Sequence, residues 1–388
     1  MRILHTSDWH LGHHLYGHDR TEEHMAMIDQ MVAIVAEERP DVFLLCGDVY
    51  DTAQPSAAVQ KMFVNALVRI QQANPDMTII VTAGNHDSGS RHEVFRIPWK
   101  ALGVEVIGAL SPDTPDSHIV AIPGKGFVVA LPYANERYIP EGFIQGLIDT
   151  VGSRNSGNLP VVMTAHTTVK GADYSGHDRI NEYTVGGIEG IEIELLGTGY
   201  DYLALGHIHH DQFVHTGRHN VRYSGSPIPV SFDERFDHSV SIVDIEGHGA
   251  VPRVRKILIE NPVPLLTVPS EGATDWDTAI ELLFKFPDRQ KAYIRLNVEV
   301  ESSLPPGAVE EAFYVTKHKQ CRFCGINQIR SRSAAHSEKS FSVKEFKELD
   351  PMELAMQFAG EEGIKFDDDM QEMFREIMSS IQEEERER

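Results

Sequence analysis

The chain has 388 residues, of which 41% are hydrophobic and 24% charged, and its formal net charge is −23. That length exceeds one typical domain and supplies a sizeable core, while the acidic balance excludes a simple free-standing nucleic-acid binder, which needs a basic footprint. Action on a polyanion must therefore rest on bound cations, a local basic patch or a partner subunit.

The apolar start behind Met1 breaks at His5-Thr6-Ser7-Asp8, too early for a secretory leader. No apolar run approaches the roughly 18 residues that span a bilayer. Three cysteines do not suggest a disulfide framework. A cytoplasmic location, with no membrane partner, is expected.

Arg2-Ile3-Leu4 and Val42–Cys46 read as strands around a helix from about Thr21 to Glu38, with Thr21 as its N-cap and Glu22 and Glu23 in its first turn. Val59, Met62, Phe63, Ala66, Leu67 and Ile70 recur at three- and four-residue steps, which predicts a second helix leading into a strand over Met77–Val81. This β-α-β-α-β order implies parallel neighbours joined by crossover helices. Ile119 to Pro132 and Ser239 to Ile259 read instead as hairpins, around Pro123–Gly126 and Glu246–Gly249, so mixed sheets are expected.

Past Asn261-Pro262 a strand (265–268), a helix (275–286) and a strand (292–300) predict a small α/β unit, and Pro305-Pro306-Gly307 opens another helix. From Asp350 the chain turns acidic, and its last helix places Met370, Met373, Phe374, Ile377 and Ile381 on one side. The expected domains are 1–262, 263–345 and 346–388.

Five apolar runs end in polar clusters: Asp8-Trp9-His10, Gly47-Asp48, Gly84-Asn85-His86-Asp87, Ala165-His166 and Gly206-His207-Ile208-His209. Side chains at i and i+2 of an extended segment point the same way, so Asp8 with His10, and His207 with His209, can each present two ligands together. Asn85 and His86 should point apart, one to metal and the other to substrate. In sheets with crossover helices, ligand sites assemble at this strand edge.

Asp8, His10, Asp48, Asn85, His166, His207 and His209 are too many donors for one zinc and suit two ions sharing a carboxylate. Two dications about 4 Å apart repel by roughly 4 kcal/mol even in water, and an anionic bridge, best supplied by Asp48, relieves that. The imidazole, carboxylate and carboxamide mix fits Mn²⁺, Fe or Zn better than Mg²⁺ or Ca²⁺. Any one cluster read alone is as readily a cap or a surface residue. The other histidines are read mostly as solvated, with His13 or His14 the nearest candidates for a substrate contact.

Taken in order, D-x-H, GD, GNHD, an isolated H and GHxH resemble the five signatures of the calcineurin-like metallophosphoesterases. Ser7–Gly12, Gly47–Thr52, Tyr223–Pro229 and Ser231–Glu234 are similar to a bacterial branch of DNA nuclease subunits, a match covering about residues 1–260. The resemblance implies an α/β fold of two facing mixed β-sheets flanked by helices, then a small α/β capping domain and a C-terminal helical segment that docks on a partner. It implies a Mn²⁺-dependent nuclease cutting double-stranded DNA ends and hairpins, working with an SMC-like ATPase as a homodimer within a heterotetramer.

On this resemblance one ion is held by Asp8, His10, Asp48 and His209, the other by Asp48, Asn85, His166 and His207. His86 is the catalytic histidine beside the scissile phosphate, with Asp87 orienting it. Other branches carry a histidine where this chain has Asp51, so no second catalytic histidine is expected there. The family chemistry equally suits a phosphatase or phosphodiesterase for small phosphoesters. A third reading, a non-catalytic assembly subunit, fits poorly because no ligand position is damaged.

Two secondary signals remain. Cys321-Arg322-Phe323-Cys324 is a lone C-x-x-C that His318 and His336 could complete as a zinc site, and otherwise a pair of ordinary thiols. Lys317, Lys319, Arg322, Arg330, Arg332 and Lys339 form a basic stretch, either facing DNA or lying on a solvated strand.

Overall fold

The computed structural model describes residues 1–175, 190–215 and 217–330, and positions 352, 356, 370, 371, 373 and 374 of the C-terminal stretch. Residues 1–329 form one compact unit and 330–388 another. The described positions of the second unit from 352 onward are helical. The rest of the expected acidic helix, including Ile377 and Ile381, lies outside the described residues.

Two six-stranded sheets dominate the first unit. One contains β1 (Arg2–Thr6), β4 (Val42–Cys46), β5 (Thr78–Thr82), β6 (Val104–Ile107), β13 (Ser239–Asp244) and β14 (Arg253–Leu258), in the order β14-β13-β1-β4-β5-β6. The other contains β7 (Ile119–Ile122), β8 (Gly126–Ala130), β9 (Val161–His166), β10 (Tyr202–Gly206), β11 (Gln212–Phe213) and β12 (Val221–Tyr223), in the order β11-β12-β10-β9-β8-β7. β2 (His14–Leu15) and β3 (His18–Asp19) make a two-stranded ribbon.

The parallel and antiparallel parts fall where the sequence patterns place them. β1, β4, β5 and β6 run parallel, with α1 (Thr21–Glu38) and α2 (Ala57–Ala73) as the first crossovers. The two hairpins pair antiparallel, β7 with β8 and β13 with β14. One detail differs. Arg20 occupies the N-cap of α1, and Asp19 supplies the capping oxygens, accepting from the Thr21 backbone N–H and hydroxyl at 3.0 Å each.

β4 shows why these strands read as unbroken apolar runs: all five residues are buried. Strand alternation sends Phe43 and Leu45 to a core with Met27, Met31, Phe63 and Leu67 of the helices. Val42, Leu44 and Cys46 face the other sheet, meeting Val128, Val162, Tyr202 and Ala204. The helix Phe143–Arg154 covers the second sheet's outer face through Ile144, Leu147, Ile148 and Val151. The result is helix–sheet–sheet–helix layering. Truncating Phe43 to alanine would leave a void bordered by two layers, a loss of about 3–5 kcal/mol.

A third sheet, β15 (Leu265–Val268), β16 (Ala292–Val300) and β17 (Cys321–Arg330), carries the helices Trp276–Lys285 and Ala308–Thr316. Within the same unit it packs against the preceding residues through Leu15, Phe232, Val263, Tyr293 and Cys324. Arg295 pairs with Asp233 at 2.9 Å across the same seam.

Cys321 and Cys324 are buried free thiols. Odd spacing on a strand sends them to opposite faces and different clusters, so they do not converge on an ion. His336 lies outside the described residues. Arg322 donates to the Asp19 carbonyl and the Tyr293 hydroxyl, and Lys319 to the Phe286 carbonyl and Asp288. Two members of the basic stretch are therefore spent on internal contacts, and Arg332 and Lys339 lie outside the described residues.

Candidate metal centre

Every candidate ligand stands at the carboxyl end of a parallel strand. β1, β4, β5, β9 and β10 deliver Asp8, Asp48, Asn85, His166 and His207 respectively to one rim where the two sheets meet. The backbone there is not extended, as the i, i+2 argument assumed. Asp8, His10, Asp48 and His207 have φ of 54°, 43°, 48° and 100°, a left-handed region costly for such residues and tolerated where function requires it. Four of the seven described non-glycine residues with positive φ are thus site residues.

The turn after each strand explains the correction in direction. Asp8 and His10 share a cluster with His209, whereas His207 joins Asp48 and His166. The GHxH histidines are split between two clusters. Close approach at the rim also fixes glycines. A Cβ on Gly84 would lie 2.1 Å from Asp48 Oδ1, and one on Gly206 would lie 1.9 Å from the Cys46 carbonyl oxygen.

Seven donors converge. His10 Nε2 lies 3.2 Å from His209 Nε2 and 3.8 Å from Asp48 Oδ2. His166 Nε2 lies 3.3 Å from the same Asp48 oxygen and 3.0 Å from Asn85 Oδ1. His207 Nδ1 reaches Asn85 Oδ1 at 2.9 Å. Asp48 therefore stands between the two clusters, where a bridge belongs. Asn85 and His86 point apart as expected: the His86 ring packs against His10 at 4.9 Å.

A surrounding shell sets the imidazole tautomers. Glu234 Oε1 lies 2.8 Å from His209 Nδ1, and the Cys46 carbonyl 2.8 Å from His166 Nδ1, leaving both Nε2 atoms for the site. The Ser7 hydroxyl donates to Asp8 Oδ2 at 2.5 Å and the His207 N–H to Asp8 Oδ1 at 3.0 Å. Of these helpers, Ser7 and Glu234 had a sequence signal, at the ends of Ser7–Gly12 and Ser231–Glu234, whereas the Cys46 carbonyl had none.

His86 is held differently from the expectation. Its Nδ1 meets the Asp51 carbonyl at 2.9 Å. Asp87 accepts instead from the backbone N–H groups of Gly84, Val49 and Tyr50, tying the GNHD turn to the GD turn. His86 also lies within ligand reach of His10 and Asp48.

Several histidines outside the constellation are buried rather than solvated: His5, His13, His24, His92, His118 and His238. His13 lies against Arg20 at 3.3 Å, and His14 Nδ1 against the Gly12 carbonyl at 3.0 Å.

The electrostatics ask for cations. Burial opposes a charge on His10, yet Asp51, Asp48 and Asp8 outweigh it and raise the imidazole to about 9. The same contest, won mainly by Asp48, raises His166 to about 9. Burial also opposes the Asp48 carboxylate, but His166, His10 and His86 hold it well below the usual range. His209 goes the other way, lowered by burial to about 3. Of two imidazoles 3.2 Å apart, only one takes up the second proton that makes it a cation. Buried carboxylates that recruit protons onto neighbouring imidazoles are a set dications satisfy better, so the donors fit a pair of metal ions.

The sequence profile of the calcineurin-like phosphoesterases matches residues 1–211. The chain belongs to this family and is a metal-dependent hydrolase of phosphate esters. It is similar to proteins named as the SbcD component of the nuclease SbcCD: 34% identical to that of Rhodobacter capsulatus over 322 residues, covering 75% of this chain and 78% of the relative. The Bacillus subtilis protein of that name is 29% identical over 411 aligned residues, covering 99% of both chains. The Escherichia coli K12 protein is 32% identical over 254 residues, covering 60% of this chain and 62% of the relative. No helix among the described residues is long and apolar enough to cross a membrane.

Proposed function

We propose that the chain is the nuclease subunit of an SbcCD-type complex, hydrolysing DNA phosphodiesters at double-stranded ends and hairpins. The observation that carries this reading is similarity along the whole chain to a protein so named, with all seven donors present at one rim. Asp8, His10, Asp48 and His209 would hold one ion and Asp48, Asn85, His166 and His207 the other, with Mn²⁺ favoured by the donor mix. Bound there, dications supply Lewis acidity for phosphate oxygens and for water.

The chain's own groups do the rest. Glu234 and the Cys46 carbonyl hold His209 and His166 with Nε2 inward. The Asp51 carbonyl accepts from His86 Nδ1–H and so aims Nε2 outward; with a second proton on Nε2, the imidazolium would donate to the leaving sugar oxygen and release that proton to it. Asp87 sets the His86 backbone by clamping two turns together.

A chain of charge −23 gains little affinity for DNA by itself, which supports a DNA-gripping partner, an SMC-like ATPase. Val94, Phe95, Ile97 and Leu102 are four exposed large apolar residues within one nine-residue stretch (94–102), with Ile97 84% exposed, which supports pairing with a second copy. Sedimentation of wild type against Ile97→Asp tests that pairing, and an unchanged mass would refute it.

The deciding assay incubates an end-labelled duplex and a hairpin with purified protein and Mn²⁺, beside a small chromogenic phosphodiester. DNA cutting that disappears in His86→Ala supports the proposal. Turnover of the small ester alone, not extended to DNA by an ATPase partner with ATP, would make it a small-molecule phosphodiesterase.

A further inference from the structure

We infer that a cleft beside Asn85, His166 and His207 is a subsite for one unstacked nucleobase, attached to the sugar next to the scissile phosphate. This rests on the phosphodiesterase reading and adds to it the recognition of a base. The cleft measures about 550 Å³, within the size range of pockets that enclose a small organic group.

Its composition is unlike that of a phosphate site. One side is the metal-site trio Asn85, His166 and His207, while the partly exposed Leu110, Ile139 and Ile191 add apolar lining. Tyr133 shares that lining, with the residue 42% exposed. The Tyr133 backbone N–H is bonded to the Ala83 carbonyl at 2.7 Å, one residue before the GNHD turn. Its ring meets His166 edge-on at 6.4 Å. An aromatic face is thus anchored to the turn that presents Asn85 and His86.

Phosphate alone would leave the apolar lining wet. A flat group with two apolar faces and a hydrogen-bonding edge uses all of it. Asn135, Arg137 and Thr168 place polar groups in the same lining. A nucleobase has that chemistry, and stacking on tyrosine tolerates any sequence because every base has a π-face. A cleft of this size admits one base and not a duplex, so the nucleotide at the reacting phosphate must leave its stack.

The test uses the full chain loaded with Mn²⁺ and two probes, deoxyadenosine 5′-monophosphate and 2-deoxyribose 5-phosphate, titrated calorimetrically. They share sugar and phosphate and differ by the base. The expected result is about tenfold or more tighter binding of the nucleotide. Tyr133→Ala should erase that difference while leaving 2-deoxyribose 5-phosphate unchanged, and Tyr133→Phe should keep it. Equal affinities in the wild type would overturn the subsite, as would a nucleotide affinity that Tyr133→Ala leaves intact. Failure of both probes to bind would refute the two-metal phosphoester reading itself, and the subsite with it.

Discussion

Asp8, His10 and His209 are buried on all sides, whereas in the other set only His166 is buried, Asn85 is exposed and His207 half-buried. In the first group Glu234 lies 2.8 Å from one imidazole and Asp51 Oδ1 lies 3.5 Å from another. In the second, His207 and Asn85 border the Tyr133 cleft. One half of the centre is enclosed by carboxylates and the other opens onto space where a substrate can lie. Burial behind charged partners favours a lasting ion, and an open rim favours exchange and substrate contact.

The strongest way to break this comparison is to remove what the halves share. Asp48→Asn takes away the charge between both clusters and should abolish binding of both ions. Turnover should fall by roughly 10³-fold or more, since several kcal/mol of charge stabilisation is lost. Retention of one tightly bound ion, measured by elemental analysis after gel filtration, would show that Asp48 does not bridge.

His86→Ala comes next and should separate metal from chemistry. Turnover should drop about 10²–10⁴-fold while both ions stay bound. Because His86 also lies within ligand reach of His10 and Asp48, loss of an ion from this variant would assign it to the metal shell instead.

Glu234→Ala acts on the enclosed half alone. It frees His209 Nδ1 and should weaken one ion about 10–100-fold, leaving the Asn85–His166–His207 ion unchanged. Glu234→Gln, which keeps an oxygen acceptor, should recover most of that. Equal weakening of both ions would remove the distinction between the halves.

What sequence could and could not reveal follows the same division. β4 is legible because burial on both faces leaves an unbroken Val-Phe-Leu-Leu-Cys run, and the rim is legible because every ligand follows such a run. The enclosing shell was mostly hidden. The Cys46 and Asp51 contacts use backbone carbonyls, which leave no trace in side-chain identity. Left-handed backbone at Asp8, His10, Asp48 and His207 cannot be inferred from residues that rarely adopt it. That is why the i, i+2 argument sent His207 and His209 to one place. Asp87 was read as a histidine partner because carboxylates often serve so, but three backbone N–H groups had the stronger claim on it.

The smallest effect is one of pH, and it sharpens the comparison by showing where the halves agree. Metal-free His10 and His166 hold protons up to about 9, one in each half, while Asp48 and His209 titrate far below neutrality. A ligand must lose its proton to bind metal, so each ion's affinity should fall about tenfold per pH unit below about 9 and level off above it. The halves would then differ in affinity but share one slope, measurable by Mn²⁺ titration at several pH values. Folding of the metal-free protein should move the opposite way. The raised pKa values stabilise it fully below the unfolded histidine value of about 6.5, and that contribution is lost as pH climbs to about 9. Metal-free melting temperature should therefore decline across that window while Mn²⁺ grows more protective. A metal-free protein that gained stability from pH 6.5 to 9 would mean that these two imidazoles are not the proton reservoir of the site.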